Sequence, residues 1–494
     1  MAEKEHIILF PSLAQGHFIP FLALAAHLQS RNAYNITFVS TPLNIQRITS
    51  ALPTIPNTTT TSITFAPLPF SSADHGLPPN CESSDTLPNH LSLRLLHASQ
   101  SLQPAFQNLI SQITTQHARP PLAIISDMFL GWTTQVARDL GIFHALFIVS
   151  GAFGTAVYFS LWLNLPHQNT HAEDFPLPDF PASIHRSQLP KHLQLADGSD
   201  ACSKLHRQLL PLCFNTDGFL FNTNILELEQ KGMEYFTSKA NKPGWAIGPL
   251  VNVKKARKEP GVSEERCIWW LDLQPPSSVL YVSFGSQHSI SAPLMMDLAM
   301  GLEACGRPFI WVIRPPLEFD VNEEFEAEWF PCGFEERITE RKQGMLVWRW
   351  APQVEILSHP STGAFLSHCG WNSTIEGLTR GVPLMGLPLS GEQFYNVMML
   401  VELGVCVEVA RGNSAKIEKG RLERVMEVVL GGGSGEGEEM RKKVLQVKEM
   451  MEEAVREDEM SMGSSVRGLN DFLMAARMSR KANAGRAVKG DYNG

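Results

Sequence analysis

The chain has 494 residues, 44% hydrophobic and 18% charged, too long for one core and ordinary in composition for a globular protein of two domains. Its 41 basic and 50 acidic residues give a net charge of −9, which excludes a global basic field for recruiting nucleic acid or an anionic membrane. The eight cysteines show no paired spacing, so neither a disulfide framework nor a zinc site is indicated, and a cytoplasmic protein with reduced thiols is expected.

The N-terminus, MAEKEHIILFPSLAQGH, carries mixed charge and a short apolar run stopped by Pro11, unlike a signal-peptide core. No apolar stretch approaches the roughly 20 residues that span a bilayer, so no stable membrane insertion is expected. Apolar runs then alternate with amphipathic ones: HIILF, NITFVST, SITFAPL, LAIISD, HALFIVS and GFLFNT, followed by SVLYVSFGS, FIWVIRP, GMLVWRW, GAFLSHC, VPLMGLPL and GVCVEVA. This alternation predicts parallel sheets covered by helices, and two such series predict an α/β protein of two Rossmann-like domains. The first is expected over residues 1–245 and the second over 266–460, joined by a Gly-, Pro- and Lys-rich linker at 246–265. A helix over 461–477 is expected to pack back on the first domain, and the basic tail 478–494 to be disordered. The Pro- and Ser-rich insertion APLPFSSADHGLPPNCESSDTLPN reads as a mobile surface loop of a length that often covers a pocket. GGGSGEGEE, at 431–439, follows a helix and reads as a helix–helix turn rather than a phosphate cradle.

Chemistry concentrates at residues 350–393, whose apolar pieces predict strands ending at Trp350, His368 and Leu389. The carboxyl ends of parallel strands converge on one crevice, so the polar residues there share a site. In HCGWNSTIEG, His368 ends a strand, Gly370 turns, and a helix begins whose free amides and dipole suit a diphosphate, with Asn372 and Ser373 as further donors. The competing reading is a capping box between Ser373 and Glu376. Trp350 offers a face for a nucleobase, with Ala351 and Gln353 at its edge; Glu376 suits ribose hydroxyls, and Glu392 and Gln393 suit a hexose.

The stretch from Trp350 to Gln393 resembles, over its whole length, the signature box of the plant family 1 UDP-dependent glycosyltransferases: it opens WAPQ, contains HCGWNS and ends in an acidic residue and Gln. The likeness extends to CIWWLDLQPPSSVLYVSFGS and GSSVRGLNDFL. The resemblance implies the GT-B architecture, with the nucleotide-sugar on the second domain and the acceptor on the first. It implies that Trp350 stacks on uracil, that Gln353 meets the nucleoside, and that Glu376 binds ribose. It further implies that His368, Asn372 and Ser373 hold the diphosphate and that Trp371, Glu392 and Gln393 contact the sugar, with Ser286 and Thr155 as additional contacts. The penultimate position is often Asp in the family and is Glu392 here; a terminal Gln goes with UDP-glucose more often than with galactose donors.

In AQGHFIP, Gly16 is read as a tight turn, Pro20 as a first-turn helix residue, and His17 as a general base, neutral yet basic near pH 7. Asp127, ending the strand LAIISD, would orient and stabilise the imidazolium. The resemblance agrees, GHFIP matching the family's GHxxP. A strand-end Asp is otherwise an ordinary helix N-cap. No Asp-x-Asp motif occurs, so no metal is expected, and direct displacement implies inversion to a β-glucoside. Phe18, Phe129, Trp132 and Phe153 suggest an apolar acceptor such as a phenolic, flavonoid or terpenoid alcohol. The expected partners are this small acceptor and the UDP-sugar, with the protein a monomer. The rival readings are a binding protein of the same fold without catalysis, a nucleotide-sugar epimerase, an antibiotic-type glycosyltransferase and, lacking G-x-G-x-x-G, a dinucleotide oxidoreductase.

Overall fold

The computed structural model describes residues 4–51, 63–224, 227–251, 261–319, 324–412, 414–418, 420–431, 435–458 and 461–490. The middle of the predicted linker, part of the GGGSGEGEE turn and residues 491–494 lie outside them.

The first domain contains β1 (Glu5–Phe10), β2 (Tyr34–Ser40), β3 (Ile63–Pro67), β4 (Ala123–Asp127) and β5 (Phe143–Ile148). A small antiparallel ribbon of β6 (Asp174–Pro176) and β7 (Ser183–His185) precedes β8 (Gly218–Phe221) and β9 (Gly244–Ala246). The main sheet is parallel, in the order β3-β2-β1-β4-β5-β8-β9. In the second domain β10 (Val279–Ser283), β11 (Phe309–Ile313), β12 (Gly344–Trp348), β13 (Thr362–Ser367), β14 (Leu384–Gly386) and β15 (Cys406–Glu408) form a parallel sheet in the order β12-β11-β10-β13-β14-β15. Every residue of β4, β5, β8, β10, β11 and β13 is buried, as continuous apolar runs require when helices cover both faces. Strand order reverses between β1 and β4 in one domain and between β10 and β13 in the other, and a crevice opens at the carboxyl ends there.

Four readings need correction. The strands in the signature stretch end at Trp348, Ser367 and Gly386, one to three residues before the positions read from sequence. The insertion, read as a mobile surface loop, is anchored by Leu68, Leu77 and Leu87 in a core with β1 and β4, while Asp85 to Leu87 reach the crevice, as loops of its length often do. Gly16 has no positive φ and lies inside a helix, Gln15–Ser30, which makes Pro20 an interior residue of that helix. The tail does not lose structure at Met478, because the helix Ser464–Gly490 continues through it. Leu469, Phe472 and Leu473 of this helix join the core of the first domain, Arg477 donates to the Tyr34 hydroxyl at 2.9 Å, and Arg480 pairs with Glu5. Burying Phe472 completely against Trp245 and Phe143 is worth about 1.5–3 kcal/mol.

Candidate active site

The helix Gln15–Ser30 starts after the end of β1, with extended Ala14 before it and no side-chain cap, and it places His17 in its first turn. Asp127 ends β4, the strand beside β1. Its two oxygens divide the two roles that strand-end aspartates take: Oδ1 accepts from the Phe129 amide at 3.0 Å, capping a short turn, and Oδ2 faces His17 Nδ1 at 2.5 Å. Asp127 is fully buried and the His17 side chain is 17% exposed, so Nε2 is the ring nitrogen left for the crevice. Burial opposes charge on this imidazole, but Asp127 outweighs it, with Glu392 adding a smaller pull, and the His17 pKa lies above its ordinary value.

Across the crevice, β13 is followed by His368, Cys369 in the left-handed region, Gly370 as N-cap, and the helix Trp371–Arg380. No side chain caps that helix. Ser373 is its third residue, so the capping-box reading with Glu376 is overturned. Glu376 Oε2 instead accepts from Gln353 Nε2 at 2.7 Å, Ser373 Oγ accepts from the same nitrogen at 3.2 Å, and the Tyr281 hydroxyl donates to Gln353 Oε1 at 3.2 Å. The His368 ring is wedged between Gly285 and Gly370; a β-carbon on either would stand 2.8 or 2.5 Å from it. Burial, with His288 alongside, pushes the His368 pKa down to about 3, leaving a neutral ring. Gln393 spends its amide oxygen on the Leu389 and Ser390 amides, both at 3.0 Å, and Glu392 accepts from the Ser150 hydroxyl at 3.3 Å.

The two halves touch at this point. Trp371 Nε1 donates to the Asn222 carbonyl, which follows β8, at 2.6 Å, and Asn372 Nδ2 donates to the Gly16 carbonyl at 2.7 Å. Between them lies a cavity of about 560 Å³. His17, Ser286 and every donor-side residue singled out between Trp350 and Gln393 line it.

Thr155 does not: it is fully buried and returns its hydroxyl to the Gly151 carbonyl at 2.7 Å. Three of the four aromatics proposed for the acceptor are core. Phe18 packs among the helices and strands of the first domain, Trp132 meets Phe10 and Phe106 edge-on, and Phe153 meets Phe180 edge-on. Only Phe129, partly buried and 5.7 Å from the His17 ring centre, adjoins the site. Arg314 was missed, although it follows β11 in FIWVIRP and the strand-end rule finds it. It lines the cavity and donates to the Ser286 carbonyl, steadying the loop after β10. Glu229 was missed as well: it is fully buried and caps the Ala152 and Phe153 amides at 2.7 and 3.0 Å, a role no helical pattern announces.

The family model for "Glycosyltransferase, N-terminal domain" matches residues 3–252, and that for "UDP-glucoronosyl and UDP-glucosyl transferase" matches residues 267–445. UDP-glycosyltransferase 92A1 of Arabidopsis thaliana is 42% identical over 97% of this chain and 98% of its own. The chain belongs to the plant family 1 UDP-dependent glycosyltransferases. Crocetin glucosyltransferase 3 of Crocus sativus is 40% identical to this glycosyltransferase over 88% of the chain and 93% of its own. Among solved structures, UGT73P12 of Glycyrrhiza uralensis, complexed with glycyrrhetinic acid 3-O-monoglucuronide, matches the glycosyltransferase with a TM-score of 0.81 and 26% identity over 99% of both chains. Its two facing Rossmann-like domains are thus the GT-B fold. Among the described residues no helix is long and apolar enough to cross a membrane.

Proposed function

We propose that this glycosyltransferase moves a glucosyl group from UDP-glucose to a hydroxyl of a small apolar plant metabolite, a phenolic, flavonoid or terpenoid alcohol, with inversion. The observation that carries the reading is the His17–Asp127 pair, facing the uncapped helix start at Trp371 across one cavity. His17 Nε2 takes the acceptor's proton as its oxygen attacks the anomeric carbon from the face opposite the leaving group. The bond from that carbon to the diphosphate oxygen breaks, UDP departs with the electron pair, and a β-glucoside results. Asp127 keeps the proton on Nδ1 and stabilises the imidazolium as it forms.

On the donor side, Trp350 and Ala351 receive the uracil, Gln353 orients Glu376 toward the ribose, and Ser373, Asn372, neutral His368 and Ser286 surround the diphosphate. The amides of the helix start bring partial positive charge to the leaving group. Trp371, Glu392 and Gln393 contact the glucose. Glucose as the sugar and a small metabolite as the acceptor are favoured by the relative named crocetin glucosyltransferase 3. No resident cofactor or metal has a part in this scheme, and we place a monomer in the cytoplasm, where all eight cysteines remain thiols.

The test is incubation of the purified protein and its His17→Ala variant with UDP-glucose and a panel of phenolic and terpenoid alcohols, read by mass. A gain of one hexosyl unit by the wild type, lost in the variant, is expected. UDP-glucose binding without transfer to any acceptor would favour the noncatalytic binding protein.

A further inference from the structure

Pro20 sits inside the helix Gln15–Ser30, in the second turn, and is buried. An interior proline has no N–H to give the carbonyl four residues earlier. That carbonyl belongs to Gly16, the residue before the base. Gly16 itself lines the cavity, and a β-carbon there would meet nothing within 4 Å. The vacant acceptor is taken from the other domain, by Asn372 Nδ2 at 2.7 Å.

We propose that Pro20 is a positioning residue: by withholding its amide it reserves the Gly16 carbonyl for Asn372, so that the diphosphate-side helix of one domain sets the place of the base in the other. This rests on His17 as the base. Helix geometry explains why one bond suffices. Gly16 and His17 share a peptide, and the far side of the imidazole is already fixed by Asp127 at 2.5 Å. A shift of Gly16 therefore tilts Nε2 rather than freeing the ring, and a misplacement of about 1 Å costs a reaction up to about 100-fold. The carbonyl has a second lone pair, so a new amide at position 20 would weaken the Asn372 bond, by sharing the acceptor and drawing the carbonyl toward the helix axis, without excluding it.

The experiment compares Pro20→Ala, Pro20→Val, which keeps more of the ring's volume, Asn372→Ala, and the double variant Pro20→Ala/Asn372→Ala, all in the full chain. Each Pro20 variant restores a helical donor, so Tm is expected to hold or rise. At the same time kcat is expected to fall about three- to tenfold with the KM for UDP-glucose within about twofold, a split that marks lost transition-state placement. In the double variant the Pro20→Ala effect on kcat should vanish, because the bond it weakens is already gone. A purely structural proline would lower Tm and the active fraction, and its loss would add fully to that of Asn372→Ala. Either that additivity or an unchanged kcat in both Pro20 variants overturns the proposal. Absence of transfer by the wild type would instead count against the function proposed above; the same variants then read out through the distance between the two domains, followed with UDP-glucose by paired spin labels at the exposed positions 26 and 358, which leave His17 and Asn372 in place. That distance should widen in Pro20→Ala.

Discussion

The indole of Trp371 and the carbonyl of Asn222 are 2.6 Å from donor nitrogen to acceptor oxygen, a buried bond between the first turn of a second-domain helix and the end of β8 in the first domain. The ring lies against Gly151, where a β-carbon would come within 2.8 Å of it. Trp371→Phe keeps a ring but strands that carbonyl, a cost of about 1–3 kcal/mol. The expected outcome is a lower urea midpoint together with a raised KM for UDP-glucose. Unchanged values of both would show that the contact neither joins the domains nor shapes the donor side.

With His17 as the proposed base, Asp127 is expected to set the acid limb of activity. A base works deprotonated, and the His17 pKa is held above 6.5 because Asp127 outweighs burial. Activity of the wild type should therefore rise with pH through a value above 6.5 and then level. In Asp127→Asn burial dominates, so the limb moves to lower pH, while kcat falls by about 100- to 10,000-fold as the tautomer and imidazolium lose support. The measurement is kcat/KM against pH; a limb that stays in place would remove Asp127 from this role.

Phe18 and Phe129 separate core from site. Phe18 is 2% exposed among the apolar side chains of the first domain, so Phe18→Ala should cost about 3–5 kcal/mol in a urea titration and leave the acceptor KM of the folded enzyme alone. Phe129→Ala should do the reverse, raising the acceptor KM with a small loss of stability. Equal effects of the two on acceptor KM would return Phe18 to the site.

The contrast between these two residues shows how far the site was legible in the sequence. Asp127 and His368 were readable because parallel strands deliver their carboxyl ends to one edge, whatever the side chains do, whereas His17, in the first turn of a helix, was singled out by the likeness of GHFIP to the family's GHxxP. Arg314 obeys the same rule and could have been read from FIWVIRP. Phe18 could not be excluded, because one residue along a helix turns the side chain by about 100° and the phase is set by tertiary packing. Pro20 misled because a proline near a helix start is ordinarily first-turn; here the helix begins five residues earlier, at Gln15. Glu229 was invisible since carboxylates on amphipathic helices ordinarily face water, and only the fold shows that this one caps the amides of Ala152 and Phe153. Composition pointed to a disordered tail because it carries no information about Glu5, the partner that Arg480 finds.

Gln353 and Glu376 should act on UDP as one unit. Gln353 donates from its nitrogen to Glu376 and Ser373 and accepts a hydrogen bond from the Tyr281 hydroxyl at its oxygen, so its polar atoms are engaged within the protein. On this geometry its contribution to nucleotide binding passes through the carboxylate it orients. Gln353→Ala and Glu376→Ala should each weaken UDP binding in calorimetry, and the double variant should bind about as weakly as Glu376→Ala alone, a coupling on the order of 0.5–3 kcal/mol. If the two losses simply add, Gln353 reaches the nucleotide by itself, and the 2.7 Å bond to Glu376 is broken when UDP enters.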